Sequence, residues 1–265
     1  MKPVVLSRRL QMVAAMVTVG SRVCDVGCDH GFVPVYLIKQ GISPTVLAMD
    51  VKNGPLRAAR EHIAEHGLEN VIETRLSDGL HNYNVGESDT LICAGMGGRL
   101  MRRILSDDSE KTESFRELVL QPQSEIKQFR AWLREQGYRI TEENMIEEDG
   151  KFYPMMRVEM GGDIGCGELR EYMAEMGRTA KNSKCDFMDY MKLCKLVDRY
   201  GFHLLQRKDK TLVAYLKREE RIYSEILSTL RAQGLSDEKR RTRYAEVSEL
   251  LEDCQLASDI IADLR

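Results

Sequence analysis

Residues 21–31, SRVCDVGCDHG, decide the fold. The first half, Ser21 to Val26, is a short apolar run that reads as a strand, and the second half is a turn carrying two glycines. Pro34 to Lys39 then reads as part of a helix. A strand that ends in a glycine turn and enters a helix is the start of a βαβ unit. Such a turn lets main chain approach a ligand at the carboxyl edge of the sheet, where open α/β folds bind ligands.

The alternation continues outward from that stretch. Thr45 to Asp50 (TVLAMD) reads as a second strand, followed by a helix from about Pro55 to His66. Val71 to Leu76 is a third strand, and Asp89 to Cys93 (DTLIC) a fourth, with a helix over Gly98 to Leu105. Glu117 to Gln121 (ELVLQ) is a fifth, with a helix over about Glu125 to Gln136. Tyr138 to Glu148 and Lys151 to Met160 pair as a closing hairpin around the turn dipeptide Asp149-Gly150. The expected class is α/β, a parallel Rossmann-like sheet whose last hairpin makes it mixed.

Residues 163–265 have another texture: long charged helical stretches with little strand signal. Leu212, Leu216, Glu219, Tyr223, Ile226 and Leu230 form one seam, and Val247, Leu250, Cys254, Ala257, Ile261 and Leu264 another. Gly234 supplies a stop and Ser236 an N-cap between them. The economical reading is an antiparallel coiled-coil hairpin; two helices packed flat on the first domain is the alternative. Gly161-Gly162-Asp163 and Gly165-Cys166-Gly167 mark the boundary, giving domains 1–162 and 163–265.

Whole-chain properties narrow the class. With 39 basic and 42 acidic residues in 265, a uniformly basic nucleic-acid binder is excluded, although a local basic patch is not. The longest near-apolar stretch, Met12 to Val19, is far short of the roughly 20 residues a membrane helix needs. Seven cysteines with no CxxC pair point to reduced thiols, no zinc ribbon and a cytoplasmic setting. His62, His66, His81 and His203 show no ligand spacing, so no metal is expected.

Acids stand at the ends of three successive strands. The first turn reads D-x-G-x-D-x-G, where a nicotinamide fingerprint would read G-x-G-x-x-G. Two carboxylates suit a cationic ligand and repel a pyrophosphate. Asp50 closes the second strand, 19 residues after Gly31, where a carboxylate accepts the hydroxyls of a ribose. Ser77-Asp78-Gly79-Leu80 follows the third strand; on its own it also reads as a plain turn. After the fourth strand, Ala94-Gly95-Met96-Gly97-Gly98 permits close main-chain approach. Arg99, Arg102 and Arg103 follow at once, either contacting phosphate or forming a solvated helix face.

These pieces resemble a known family. The first turn resembles the first motif of S-adenosylmethionine-dependent methyltransferases, with aspartate in place of the middle glycine. LSRRL at Leu6 to Leu10, DVGCDH at Asp25 to His30 with Pro34, and MDVKNGPLRAA at Met49 to Ala59 carry the resemblance further. RLSDGL at Arg75 to Leu80, AGMGG at Ala94 to Gly98, LQP at Leu120 to Pro122 and DGKFYP at Asp149 to Pro154 complete it. Together they resemble the bacterial tRNA (adenine-22 N1)-methyltransferases, the TrmK family, over essentially all of residues 1–162. The tail resembles the family more loosely, through GFHLL at Gly201 to Leu205 and YLKRE at Tyr215 to Glu219. Gln123 replaces the family's usual asparagine, and residues from about Glu168 to Tyr200 form a longer connection than the family's.

The resemblance implies methyl transfer from S-adenosylmethionine to N1 of an adenine in the tRNA D-arm. Asp25, Gly27, Cys28, Gly31, Asp50, Val51, Asp78, Gly79, Ala94 and Gly95 are the expected cofactor residues. Arg8, Arg9, Met96, Gly97, Arg99, Arg103, Tyr153, Arg240, Arg241 and Arg243 are the expected substrate residues, with Tyr153 either stacking on a base or packing in the core. Methylated adenine is cationic, so a nearby carboxylate would stabilise charge developing on the ring. Asp29 is the first catalytic candidate and His30 the second. The expected partner is tRNA, with no membrane and a monomeric protein. The alternative is a methyltransferase for another RNA, a small molecule or a protein. A non-catalytic RNA-binding protein and an NAD oxidoreductase fit the strand-end acids less well.

Overall fold

The computed structural model describes residues 4–160 and 187–263. The glycine stretches expected to separate the two halves lie outside those residues. The chain divides into two compact units, Met1–Glu168 and Leu169–Arg265.

In the first unit, α1 (Arg8–Ala15) precedes β1 (Val23–Val26), α2 (Phe32–Lys39), β2 (Val46–Asp50), α3 (Asn53–Glu65) and β3 (Ile72–Leu76). Then come β4 (Thr90–Met96), α4 (Gly98–Asp107), α5 (Ser109–Glu113), β5 (Glu117–Pro122) and α6 (Ile126–Glu135). β6 (Arg139–Glu148) and β7 (Lys151–Glu159) close the unit. The seven strands form one sheet in the order β3-β2-β1-β4-β5-β7-β6. The first five are parallel, and β7 pairs antiparallel with both β5 and β6. The expected α/β class with a mixed edge is the one observed.

Alternation along each strand explains the layers. Val23, Val46, Ala48, Ile92 and Val119 pack with α1, α2 and α3 into one buried cluster. Cys24, Leu47, Met49, Leu91, Cys93, Leu118 and Leu120 pack on the other face with Met101, Ile104, Phe129, Trp132 and Leu133 of α4 and α6. Both faces are covered, as a parallel sheet requires. A buried ion pair, Arg130 Nε to Glu143 Oε1 at 2.7 Å, ties α6 to β6.

Three local features differ from the sequence reading. α1 is an added helix: the Ser7 hydroxyl accepts the Leu10 amide, and Val13 and Ala14 are buried. β4 runs three residues beyond Cys93, so Ala94, Gly95 and Met96 belong to the strand. The register with β5 shifts between Ala94 and Met96, at Gly95 with φ 80°. The expected loop is therefore the bulged end of a strand, which glycine allows by adopting a left-handed conformation.

In the second unit, α7 (Phe187–Tyr200) and α8 (Phe202–Gln206) lead to α9 (Lys210–Ala232) and α10 (Glu238–Asp263). The Cys254 thiol lies 3.3 Å from the Leu216 carbonyl, and Arg231 Nε donates to the Tyr244 hydroxyl at 2.7 Å. Those pairings make α9 and α10 an antiparallel hairpin. Leu212, Leu216, Val247, Cys254 and Ala257 of the two seams are buried, as is Leu227 outside them. The cap of α10 is Asp237, whose Oδ1 accepts the Arg240 amide at 2.8 Å, and not the expected Ser236.

Candidate active site

The site lies at the carboxyl ends of the parallel strands. After β1 the chain turns sharply, and the amides of Gly27 and Cys28 both donate to the Met49 carbonyl, at 2.8 and 3.0 Å. Gly27 has φ 79°, and a Cβ there would stand 3.1 Å from the Met96 methyl. Asp29 adopts φ 48°, a left-handed conformation that aspartate tolerates better than most residues. Its amide donates to Asp50 Oδ2 at 3.3 Å, while the Lys52 amide donates to Asp50 Oδ1 at 2.9 Å. Each Asp50 oxygen is thus fixed by one main-chain amide and keeps a lone pair for a ligand.

Asp25 is buried at the end of β1. Burial, helped by the nearby charge of Asp50, pushes its carboxyl up to about 7. A cation placed beside it would reverse that shift. At the end of β3, Asp78 pairs with Arg103 of α4 at 2.7 Å, both side chains half-exposed. At the bulge of β4, Gln121 Oε1 accepts both the Gly95 amide at 3.2 Å and Arg9 Nη1 at 2.6 Å. The Gln123 amide donates to the Met96 carbonyl at 2.9 Å. At Gly98 a Cβ would meet the Ser124 carbonyl at 2.7 Å, so only glycine lets α4 start against the loop after β5.

These groups surround one cavity of about 670 Å³, a size suited to a small ligand. Among the expected residues, Asp25, Gly27, Cys28, Asp29, Asp50 and Val51 line it from β1 and β2. Asp78, Gly79, Ala94, Gly95, Met96, Arg9 and Arg103 line it from the other side. Two buried carboxylates, a glycine turn and two anchored acceptor oxygens fit a nucleoside that also carries a cation.

Other expected residues do not line the cavity. His30 stands beside Asp29, its Nε2 3.5 Å from Asp29 Oδ1, and its ring lies 5.9 Å from that of Phe32. Gly31 begins α2, and a Cβ there would meet Ala59 Cβ at 3.2 Å, so its role is close helix packing. Gly97 lies on the Ser124 hydroxyl. Tyr153 supports Arg9, whose guanidinium lies 5.4 Å from its ring centre. The Arg8 amide donates to Glu148, and Arg99 pairs with Glu125 at 3.0 Å.

The tail arginines belong to the second unit. Arg240 donates to the Gln233 carbonyl and Arg241 to the Ser236 carbonyl, closing the hairpin turn, and Arg243 pairs with Glu246. Sequence reasoning missed Phe32, Lys52, Pro55, Leu100 and Ile104, which also line the cavity. Lys52 and Pro55 stood inside the MDVKNGPLRAA stretch, whereas Phe32, Leu100 and Ile104 fall outside the quoted motifs, where an apolar residue reads as core.

One consequence of the Asp25 environment is measurable. Its carboxyl is raised above the ordinary value near 3.9, so its proton is lost only as pH rises through about 7. In the ligand-free protein, stability from this group is fully present at low pH and declines as pH rises toward 7. A cationic ligand binds the ionised form, so its affinity should rise in the same window. Calorimetry with a nucleoside that carries an ammonium group should show roughly tenfold tighter binding at pH 7.5 than at pH 6, and Asp25→Asn should abolish that difference.

Residues 6–156 match a family described as a methyltransferase domain. A Bacillus subtilis protein named tRNA (adenine(22)-N(1))-methyltransferase is 35% identical over 156 residues, covering 59% of this chain and 66% of that relative. The aligned stretch is thus just under two thirds of the relative's length. The crystal structure of the Bacillus subtilis tRNA methyltransferase TrmK superposes with a TM-score of 0.75 at 26% identity, covering 96% of this chain and 99% of that one. A Streptococcus pneumoniae protein solved in complex with S-adenosyl-L-methionine gives 0.74 at 26% identity, covering 96% and 99%. With its strand order, its strand-end acids and a match across more than half its length, this chain belongs to the methyltransferase domain family.

Proposed function

We propose that this protein transfers the methyl group of S-adenosylmethionine to N1 of the adenine at position 22 of tRNA. The observation that carries the reading is the cavity itself: acids at the ends of β1, β2 and β3 face the bulged Ala94-Gly95-Met96 end of β4. The full-length likeness to TrmK and the name of the Bacillus subtilis relative support the choice of tRNA and of that base.

When bound, S-adenosylmethionine supplies a methyl group on a positively charged sulfur. Asp50 holds the ribose hydroxyls with its two anchored oxygens. Asp25 faces the ammonium, and Gly27 leaves room for main chain to approach. Asp78 takes the adenine amino group in exchange for its bond to Arg103. The Gly95 bulge, anchored by Gln121, carries main chain to the target side. N1 of adenine is neutral before transfer and the ring is cationic after it, so Asp29 stabilises the charge that appears. His30 stands 3.5 Å from that carboxylate. Positioning supplies most of the remaining rate, because the nucleophile needs no activation.

The helical hairpin gives tRNA affinity, with positive charge at its turn. Because Arg240 and Arg241 also hold the turn together, Arg243 is the cleaner probe. Arg243→Gln should lower the slope of log affinity against log salt by roughly 0.7 to 0.9 if it meets one phosphate. An unchanged slope removes it from the interface.

Incubation with unmodified tRNA and a labelled methyl donor tests the function. Label in the tRNA supports it. Label only in protein or small molecules, with tRNA present, rejects it.

A further inference from the structure

Phe32 is the first residue of α2 and lines the cavity. Val33, Pro34, Val35 and Leu37 of the same helix are buried, whereas Phe32 is 43% exposed. Among the exposed large hydrophobic side chains of the described residues it is the single aromatic. A ring that is exposed at a cavity is free to meet a flat ligand face.

The ring is held from behind. His62 of α3 stands 4.7 Å from it, centre to centre, and His30 stands 5.9 Å away. His62 Nδ1 also lies 3.2 Å from the His30 carbonyl, which ties α3 to the turn. Val51 and Leu100, exposed by 57% and 39%, line the same cavity. The strand-end acids serve the polar and charged parts of a ligand. A neutral, flat base needs a different surface, and a fixed aromatic face is the common one for an unpaired nucleotide.

We infer that Phe32 is the stacking platform for the target adenine, holding the ring beside Asp29 three residues earlier. This rests on the reading of the protein as a tRNA adenine methyltransferase. It makes Phe32 a substrate-binding residue and not part of the cofactor pocket.

Phe32→Leu keeps apolar volume and removes the ring face; Phe32→Tyr keeps the face. Steady-state methylation of unmodified tRNA, with S-adenosylhomocysteine affinity measured by calorimetry, separates the roles. Phe32→Leu should lower kcat/KM for tRNA roughly 10- to 100-fold, while Phe32→Tyr and the cofactor affinity of both variants stay within about threefold of the parent. Unchanged kcat/KM in Phe32→Leu overturns the inference. So does a loss of cofactor affinity that matches the loss of activity, or a tyrosine variant as poor as the leucine one. A parent protein that methylates no adenine in tRNA overturns the functional reading and this inference together, whereas an active parent with an unaffected leucine variant overturns the inference alone.

Discussion

Asp29→Asn should lower turnover by ~10²-fold or more while leaving cofactor affinity nearly unchanged. The substitution preserves shape and removes charge. Asp29 lines the cavity in a left-handed turn, beside Gly27 and with His30 at its carboxylate. A glycine at that place would suffice to admit a cofactor, and the fold accepts left-handed φ there most easily with glycine. The rival account is that Asp29 only binds the cofactor's ammonium. In that case affinity falls and turnover at saturation survives. Single-turnover rates at saturating cofactor and tRNA distinguish the two, and a near-normal rate for the asparagine variant removes Asp29 from catalysis.

Asp50→Ala should weaken cofactor binding by roughly 10²- to 10⁴-fold, since hydrogen bonds to a charged acceptor contribute about 1.5–3 kcal/mol each and two are lost. The effect has a second source. Both Asp50 oxygens hold main-chain amides, those of Asp29 and Lys52. Removing the carboxylate frees the turn that carries Asp29 as well as the ribose acceptors. Asp50→Asn should be milder, because one amide acceptor remains. Calorimetry on both variants reads the difference; equal affinity for the alanine variant and the parent rules out a ribose role for Asp50.

The centre of the sheet was legible because β1, β2, β4 and β5 are short, buried, largely apolar runs, and β1 and β2 each run into an acid or a glycine. Asp25 and Asp50 stand out in sequence because a charged residue at the end of a buried strand must face something polar, and Asp78 because it sits in a turn beside Gly79. The bulge of β4 was not legible. Ala94-Gly95-Met96 contains the residues of a loop, and only pairing with β5 reveals it as strand. Gln121 was hidden in ELVLQ, where it reads as the end of a core strand, yet its side-chain oxygen joins Arg9 to Gly95. Phe32 was hidden because FVPVYLIK is apolar on every side, so nothing marks the one ring that faces the cavity. Tyr153 shows the converse: a motif tyrosine that looked available to a base stands under Arg9.

The central claim concerns where the methyl group goes. Unmodified tRNA containing adenine at position 22 should be incubated with the protein and S-adenosylmethionine, digested, and mapped by mass spectrometry, with an otherwise identical tRNA carrying guanine at that position as the control. N1-methyladenine is expected at position 22 of the first tRNA, with no methylation of the second. Methylation at another base, at another atom of adenine 22, or equally in both tRNAs would contradict it.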